Sequence, residues 1–222
     1  MFSAVFMATF AEGVDEGARQ SFDGDVKAAA AAVSDASLAA PVLEPPMPGG
    51  DYFCEVGFPD ETAYRDAKGK DTWQALYGLF ENHDVVSRFE FGAYGEGELT
   101  LQEKERSGCH RVLMFALIED ADPEMVAKME SVMNGMTDHV PGLRNCKLAK
   151  VVESAGSSDW AYVYECDFDE PGSFLGKYMT TPFHFCYIDK FFEPACNEWI
   201  VDPGLVTPYV AQEKPFLANY VS

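Results

Sequence analysis

Hydrophobic positions along this chain change between strand-like and helix-like spacing, and the order of those changes occurs twice. In the first half, Ser3 to Phe10 has the apolar, β-favouring composition of a strand. Val14 to Val33 follows as an alanine-rich helix, and Leu38 to Leu43 as a second strand. Pro45-Pro46 through Gly49-Gly50 form a loop. Tyr52 to Phe58 is a third strand, Glu61 to Phe80 a helix, and Ser87 to Tyr94 a fourth strand. The second half opens with a strand from Arg111 to Ile118. Asp122-Pro123-Glu124 then starts a helix, with a capping aspartate and a proline at the first helical position. Val126, Met129, Val132, Met133 and Met136 keep helical spacing as a core stripe until Pro141-Gly142 ends it. Lys147 to Val152, Trp160 to Phe168 and Glu198 to Asp202 are the remaining strands, with a helical stretch from Gly172 to Phe192.

The local sequences repeat as well as the order. Tyr52-Phe53-Cys54-Glu55-Val56-Gly57-Phe58 matches Tyr162-Val163-Tyr164-Glu165-Cys166-Asp167-Phe168, and both are followed by an acidic turn that opens a helix. Each half therefore reads β-α-β-β-α-β, the ferredoxin-like plan. Such a unit carries helices on one face of its sheet only, so the other face needs a partner. The expected architecture is α+β: two fused ferredoxin-like units that cover each other's open face as an intramolecular α+β barrel. The expected layout is a first unit over 1–94, a polar connector over 95–108, a second unit over 109–203 and a C-terminal arm over 204–222. Charged strand residues such as Glu55 and Glu165 are expected to face solvent.

Composition narrows the function. At 47% hydrophobic and 14% aromatic, the 222 residues can fill a real core. With 37 acidic against 16 basic residues, a net −21, the surface repels phosphate backbones and anionic lipid, which disfavours nucleic-acid and membrane-surface roles. Cys54, Cys109, Cys146, Cys166, Cys186 and Cys196 occur singly, without metal-site spacing, and read as reduced thiols. The first residues carry no basic segment of the secretory kind, and no apolar run is long enough to span a bilayer, so a cytoplasmic location is expected. A homo-oligomer is left open by the arm. No GxGxxG, P-loop, GxSxG or HExxH pattern occurs.

The candidate chemistry lies in Tyr178-Met179-Thr180-Thr181-Pro182-Phe183-His184. A residue before proline avoids the helical region, so the helix should break near Thr181 and restart at Pro182, with Thr181 able to cap it. His184 then lies in a first helical turn, where the positive dipole end disfavours imidazolium. A neutral imidazole suits a general base, and the Tyr178 hydroxyl could stabilise a developing oxyanion. Phe174, Phe183, Phe185, Tyr187, Phe191 and Phe192 are expected to wall the cavity with aromatic surface, which fits a small hydrophobic or aromatic molecule. His139, at a helix end, and His83, in a polar turn, read as structural. Carried through the helices, the repeat sets Lys68, Asp71 and Gln74 against Tyr178, Thr181 and His184, so the first unit is expected to be scaffold.

Residues from His110 to Asp202 resemble the stress-responsive A/B barrel (Dabb) family of dimeric α+β barrels. The resemblance rests on His110-Arg111-Val112-Leu113-Met114-Phe115, on Val140-Pro141-Gly142-Leu143, on the strand Tyr162 to Phe168, and on Tyr178 through His184 followed by Asp189 and Phe191-Phe192. The first half is similar in layout only. Olivetolic-acid-cyclase-type members use a histidine and a tyrosine without metal or organic cofactor. The resemblance thus implies His184 as general base and Tyr178 as its hydroxyl partner, with His110 matching the histidine that opens the family's first strand. Two positions depart from the pattern: Thr181 stands for the first histidine of the usual His-Pro-x-His, and Tyr162 for a third-strand histidine. Tyr162, Thr181, Phe183, Phe174 and Tyr187 are the expected substrate-binding residues. The expected function is a cofactor-independent lyase, isomerase or cyclase acting on an aromatic or polyketide-like molecule. The alternatives are a cofactor-free monooxygenase, a heme-binding barrel, and a non-catalytic, stress-responsive ligand-binding barrel.

Overall fold

A computed structural model describes residues 1–221. Its elements in chain order are β1 (Phe2–Phe10), α1 (Glu16–Val33), β2 (Ser37–Pro41), β3 (Tyr52–Phe58), α2 (Glu61–Lys68), α3 (Asp71–Phe80) and β4 (Val86–Leu101). The second half contains β5 (Cys109–Phe115), α4 (Pro123–Asn134), β6 (Leu143–Ala155), β7 (Tyr162–Phe168), π-helical turns over Ser173–Tyr178 and His184–Ile188, α5 (Asp189–Phe192) and β8 (Tyr209–Ala211). A 3₁₀ turn over Phe216–Val221 follows. Helices α1, α2 and α4 start where short acidic side chains satisfy free backbone N–H groups. The carboxylates of Asp15, Asp60 and Asp122 accept from Ala18 N (2.8 Å), Ala63 N (2.8 Å) and Glu124 N (2.9 Å).

The strands form one antiparallel sheet in the order β2-β3-β1-β4-β6-β7-β5-β8. Each unit contributes its four strands in the same internal order, so the sheet is the ferredoxin-like plan written twice. The seam β4–β6 joins the units over a long register from Phe91↔Ala155 to Leu101↔Asn145, interrupted by bulges between Ala93 and Gly97. Gly97 is required there, because a Cβ would collide with the Leu148 carbonyl oxygen. The other seam, where β8 approaches β2, is thin. Leu43 N donates to Tyr209 O (3.0 Å), and the Tyr209 hydroxyl donates to Pro45 O (2.9 Å). These bonds bring the sheet close to a closed barrel, which leaves few free strand edges.

Burial divides the core into three layers. One cluster lies under the helices of the first unit, around Phe6, Phe22, Trp73, Phe80 and Phe91. A second lies under the helices of the other unit, around Leu113, Met129, Met133, Phe168, Phe174 and Tyr178. The third fills the barrel interior with Val5, Met7, Phe53, Tyr94, Val112, Met114 and Val163. Strands covered on both faces explain why β3, β5 and β7 are buried at every residue.

Several elements differ from the sequence reading. The expected strand at Glu198–Asp202 reduces to a single bridge between Leu117 and Val201. The closing strand is instead Tyr209–Ala211, within the expected arm, paired with Cys109–Arg111. Pro203 and Pro208 leave it too short to show a period, and it forms because β5 offers a free backbone edge. The polar stretch after Tyr94 continues as strand to Leu101, because β6 pairs with it. The expected helix Glu61–Phe80 is two helices separated at Gly69-Lys70.

Candidate active site

On β5, alternate residues serve opposite layers. Cys109, Leu113 and Phe115 pack under the helices, while Val112 and Met114 point into the barrel. Arg111 shares the helix-facing parity, and its guanidinium lies 5.4 Å from the ring centres of both Phe174 and Tyr178. Its Nε donates to Thr207 Oγ1 at 2.7 Å. Arg111 is only 5% exposed, and Nη1 is buried without a hydrogen-bond partner.

The helical segment above it breaks at Thr181, as the proline requires, and Phe185 N reaches back to Thr181 O at 3.4 Å. On an unbroken helix, Tyr178 and His184 would project about 120° apart. The break turns them together instead, with ring centres 4.5 Å apart at 61°. The following turn is π-helical, a spacing that stacks residues five apart. It sets His184 Nδ1 3.0 Å from Asp189 Oδ1, although off the line of a well-aligned hydrogen bond.

The electrostatics separate the roles. Burial lowers the His184 pKa below the ordinary imidazole value; Asp189 opposes this and the Arg111 charge adds to it. The ring is therefore neutral near pH 7. Burial raises the Tyr178 pKa to about 12 even though Arg111 favours the phenolate, so the phenol keeps its proton. A neutral base, a phenolic donor and a fixed cation lie side by side.

The other expected residues divide. Phe174 belongs here, 5.7 Å from Tyr178 and fully buried. Thr181 sits half-buried at the break. Phe183 is half-buried against the core under the helices and stacked on His139 (4.2 Å) and Tyr187 (5.2 Å), with Tyr187 51% and Phe185 57% exposed. Phe185 and Tyr187 thus lie on an outer aromatic flank, because the restart at Pro182 turns their face to solvent. Tyr162 is stacked on Phe115 (5.3 Å) and donates to Glu130 (2.6 Å), with no contact to the Tyr178–His184 pair.

His110 is not part of this cluster, because its parity on β5 turns it into the barrel. There Nδ1 and Nε2 bond Asp167 (2.8 Å) and Glu55 (3.2 Å). Burial depresses its pKa, but these two carboxylates outweigh that and raise it to about 10, so His110 is an imidazolium. A neutral-base role is excluded for it by this charge. Glu55 and Glu165, expected at the surface, are fully buried beside it. The Tyr94 hydroxyl contacts both carboxylates, at 2.8 Å for Glu55, and the Tyr220 hydroxyl reaches Glu165 at 3.0 Å. Burial, reinforced by the Glu55 charge, raises the Glu165 pKa to about 8. The Lys147 ammonium, whose pKa burial lowers, lies 3.8 Å from the Tyr220 ring centre. A one-residue period and two covered faces hid this network from the sequence reading. The signal for Arg111 was present: an arginine beside His110 in a strand whose other residues are apolar.

All six cysteines are free, and Cys54, Cys109, Cys146 and Cys166 are buried. Among the described residues, no helix is long and apolar enough to cross a membrane, and no group of three or more His, Cys, Asp or Glu is arranged to hold a metal ion.

Comparison with known proteins places this geometry. Residues 109–202 match the model of the Stress responsive A/B Barrel Domain. No curated protein matches the chain. Among solved structures, an anthrone oxidase-like protein is similar at TM-score 0.65 and 9% identity, over 96% of this chain and 91% of that one. Two proteins described as candidate monooxygenases are also similar. That from Fusobacterium nucleatum subsp. nucleatum has TM-score 0.56 and 10% identity over 96% and 92% of the two chains. That from Lactobacillus acidophilus NCFM has TM-score 0.55 and 9% identity over 96% and 93%. At such identity the likeness is one of fold.

Proposed function

We propose that this protein, whose residues 109–202 match the model of the Stress responsive A/B Barrel Domain, is a cofactor-independent acid/base enzyme of lyase, isomerase or cyclase type. Its substrate is a small aromatic or polyketide-like molecule. The observation that carries this reading is the Tyr178–His184 pair, 4.5 Å apart beneath the helix break. With Nδ1 turned to Asp189, His184 Nε2 takes a proton from a carbon next to a carbonyl. Asp189 then faces the imidazolium that forms, and the Tyr178 O–H donates to the enolate oxygen until the proton is returned. Phe174 supplies the flat apolar surface beside the reacting atoms.

The test is turnover of a panel of phenolic and poly-β-keto compounds by the whole chain, followed by mass spectrometry. His184→Ala should lower turnover by roughly 10²–10⁴-fold with an unchanged fold. Full activity in that variant overturns the proposal.

A second reading, cofactor-free oxygenation of an electron-rich aromatic, draws support from the similar structures described as candidate monooxygenases and anthrone oxidase-like. Substrate-dependent oxygen uptake would favour it. Tight binding of the same compounds without any product would favour a ligand-binding barrel.

A further inference from the structure

Arg111 presents an unsolved charge balance. A guanidinium carries five N–H donors and keeps its charge throughout the working pH range. Here Nε is used by Thr207, the guanidinium carbon lies 5.4 Å from the ring centres of Phe174 and Tyr178, and the Tyr178 hydroxyl and Cys166 thiol are neutral hydrogen-bonding neighbours that supply no counter-charge. Nη1 is buried with no acceptor. Among the described residues no carboxylate is ion-paired to Arg111, although the chain has 37 acidic residues. Asp189, the acid beside His184, sits against the imidazole instead. A buried cation with no counter-charge is costly, and an incoming anion removes that cost.

We infer that Arg111 is the anion-recognising residue of this site and that its ligand is an aryl carboxylate, held by Nη1 with its ring against Phe174 and Tyr178. A planar carboxylate matches the guanidinium fork, and the two aromatic rings match a planar apolar body. The short helical turns above must part to admit it, since Tyr178 and His184 are only 2% and 8% exposed. This inference rests on the proposed substrate class and makes it narrower: the reacting molecule, or its product, bears a carboxylate.

Benzoate and its neutral counterpart benzamide separate the question from turnover. Calorimetric titration of the full chain should give at least roughly ten-fold tighter binding for benzoate. Arg111→Gln should abolish that preference, Arg111→Lys should keep part of it, and His184→Ala should leave it intact. Equal affinity of the unaltered chain for the two probes overturns the inference. Preference that survives in a folded Arg111→Gln chain overturns it equally. Loss of the preference in His184→Ala would assign the anion to the imidazole and also overturn it. If Arg111→Gln does not fold, the comparison of benzoate with benzamide on the unaltered chain and on Arg111→Lys still decides. Because none of these readings needs a product, failure here is distinct from failure of the acid/base proposal.

Discussion

Where the second unit buries Arg111 under its helices, the first buries Ala4. The two positions are equivalent: Ala4 pairs with Val56 and Arg111 with Cys166, and Val56 and Cys166 occupy the same place in the repeated strand. By the same register, Ser3 stands where the second unit has His110. Around Ala4 the space beneath the helices is filled by rings. Phe6 alone lies within 5.8 Å of Trp73, Tyr77, Phe80 and Phe91. Both units break their helix at a matching point, after Lys68 in one and at Thr181 in the other. Gln74, set opposite His184 by the repeat, is exposed, and Trp73 fills the gap beside it. One scaffold thus supports two outcomes: rings packed on rings fill the first unit, while in the second a cation and an imidazole with unpartnered nitrogens lie beside a phenol and form the proposed site.

This contrast can be broken experimentally. The largest effect is expected from Ala4→Arg, which puts a guanidinium under the first unit's helices with no acceptor. Loss of a cooperative urea transition is the expected outcome, a change comparable to the whole stability of a domain, about 5–15 kcal/mol. Normal unfolding in that variant would show that the two positions are not equivalent in environment. Trp73→Ala should cost about 3–5 kcal/mol by the urea midpoint while leaving turnover per folded molecule unchanged. Tyr178→Phe should do the reverse, lowering turnover roughly 10²-fold with little change in the midpoint.

A smaller, pH-dependent effect comes from the barrel interior between the units. The folded-state pKa of His110 is raised, so its stabilisation is present below its unfolded value near 6.5 and is lost as pH rises towards about 10. Glu165 is also raised, so its protonated form favours the folded state at low pH and this advantage fades as pH rises to about 8. Melting temperature should therefore decline between about pH 6.5 and 10. A flat or rising profile over that range would contradict the charge assignment. His110→Gln should make the decline between about pH 6.5 and 10 shallower.

Repetition was the most legible feature of the sequence, because a strand or helix that must bury one face imposes a period that local composition reveals. Tyr52–Phe58 is a strand at the bounds expected, and the strand expected from Trp160 to Phe168 begins at Tyr162 and ends as expected. The break at Thr181 was equally legible, since a proline restricts its neighbour wherever the chain goes. The three residues of β8 were not: they are strand only because β5 has an edge to fill. Side-chain direction was hidden for the same kind of reason. In a strand covered on both faces apolar and charged residues alike are buried, so no pattern says which residue faces the helices and which the barrel.

The amino-acid order alone determined two barrel-forming units, the interrupted helix, and the tyrosine and histidine beside it, because these follow from short-range sterics and periodicity. Only the tertiary structure decided that Arg111 joins that pair, that His110 leaves it, and that Glu55 and Glu165 meet inside. A single-residue step along β5 separates the first two outcomes, and that step acquires meaning only when sheets and helices have closed around it.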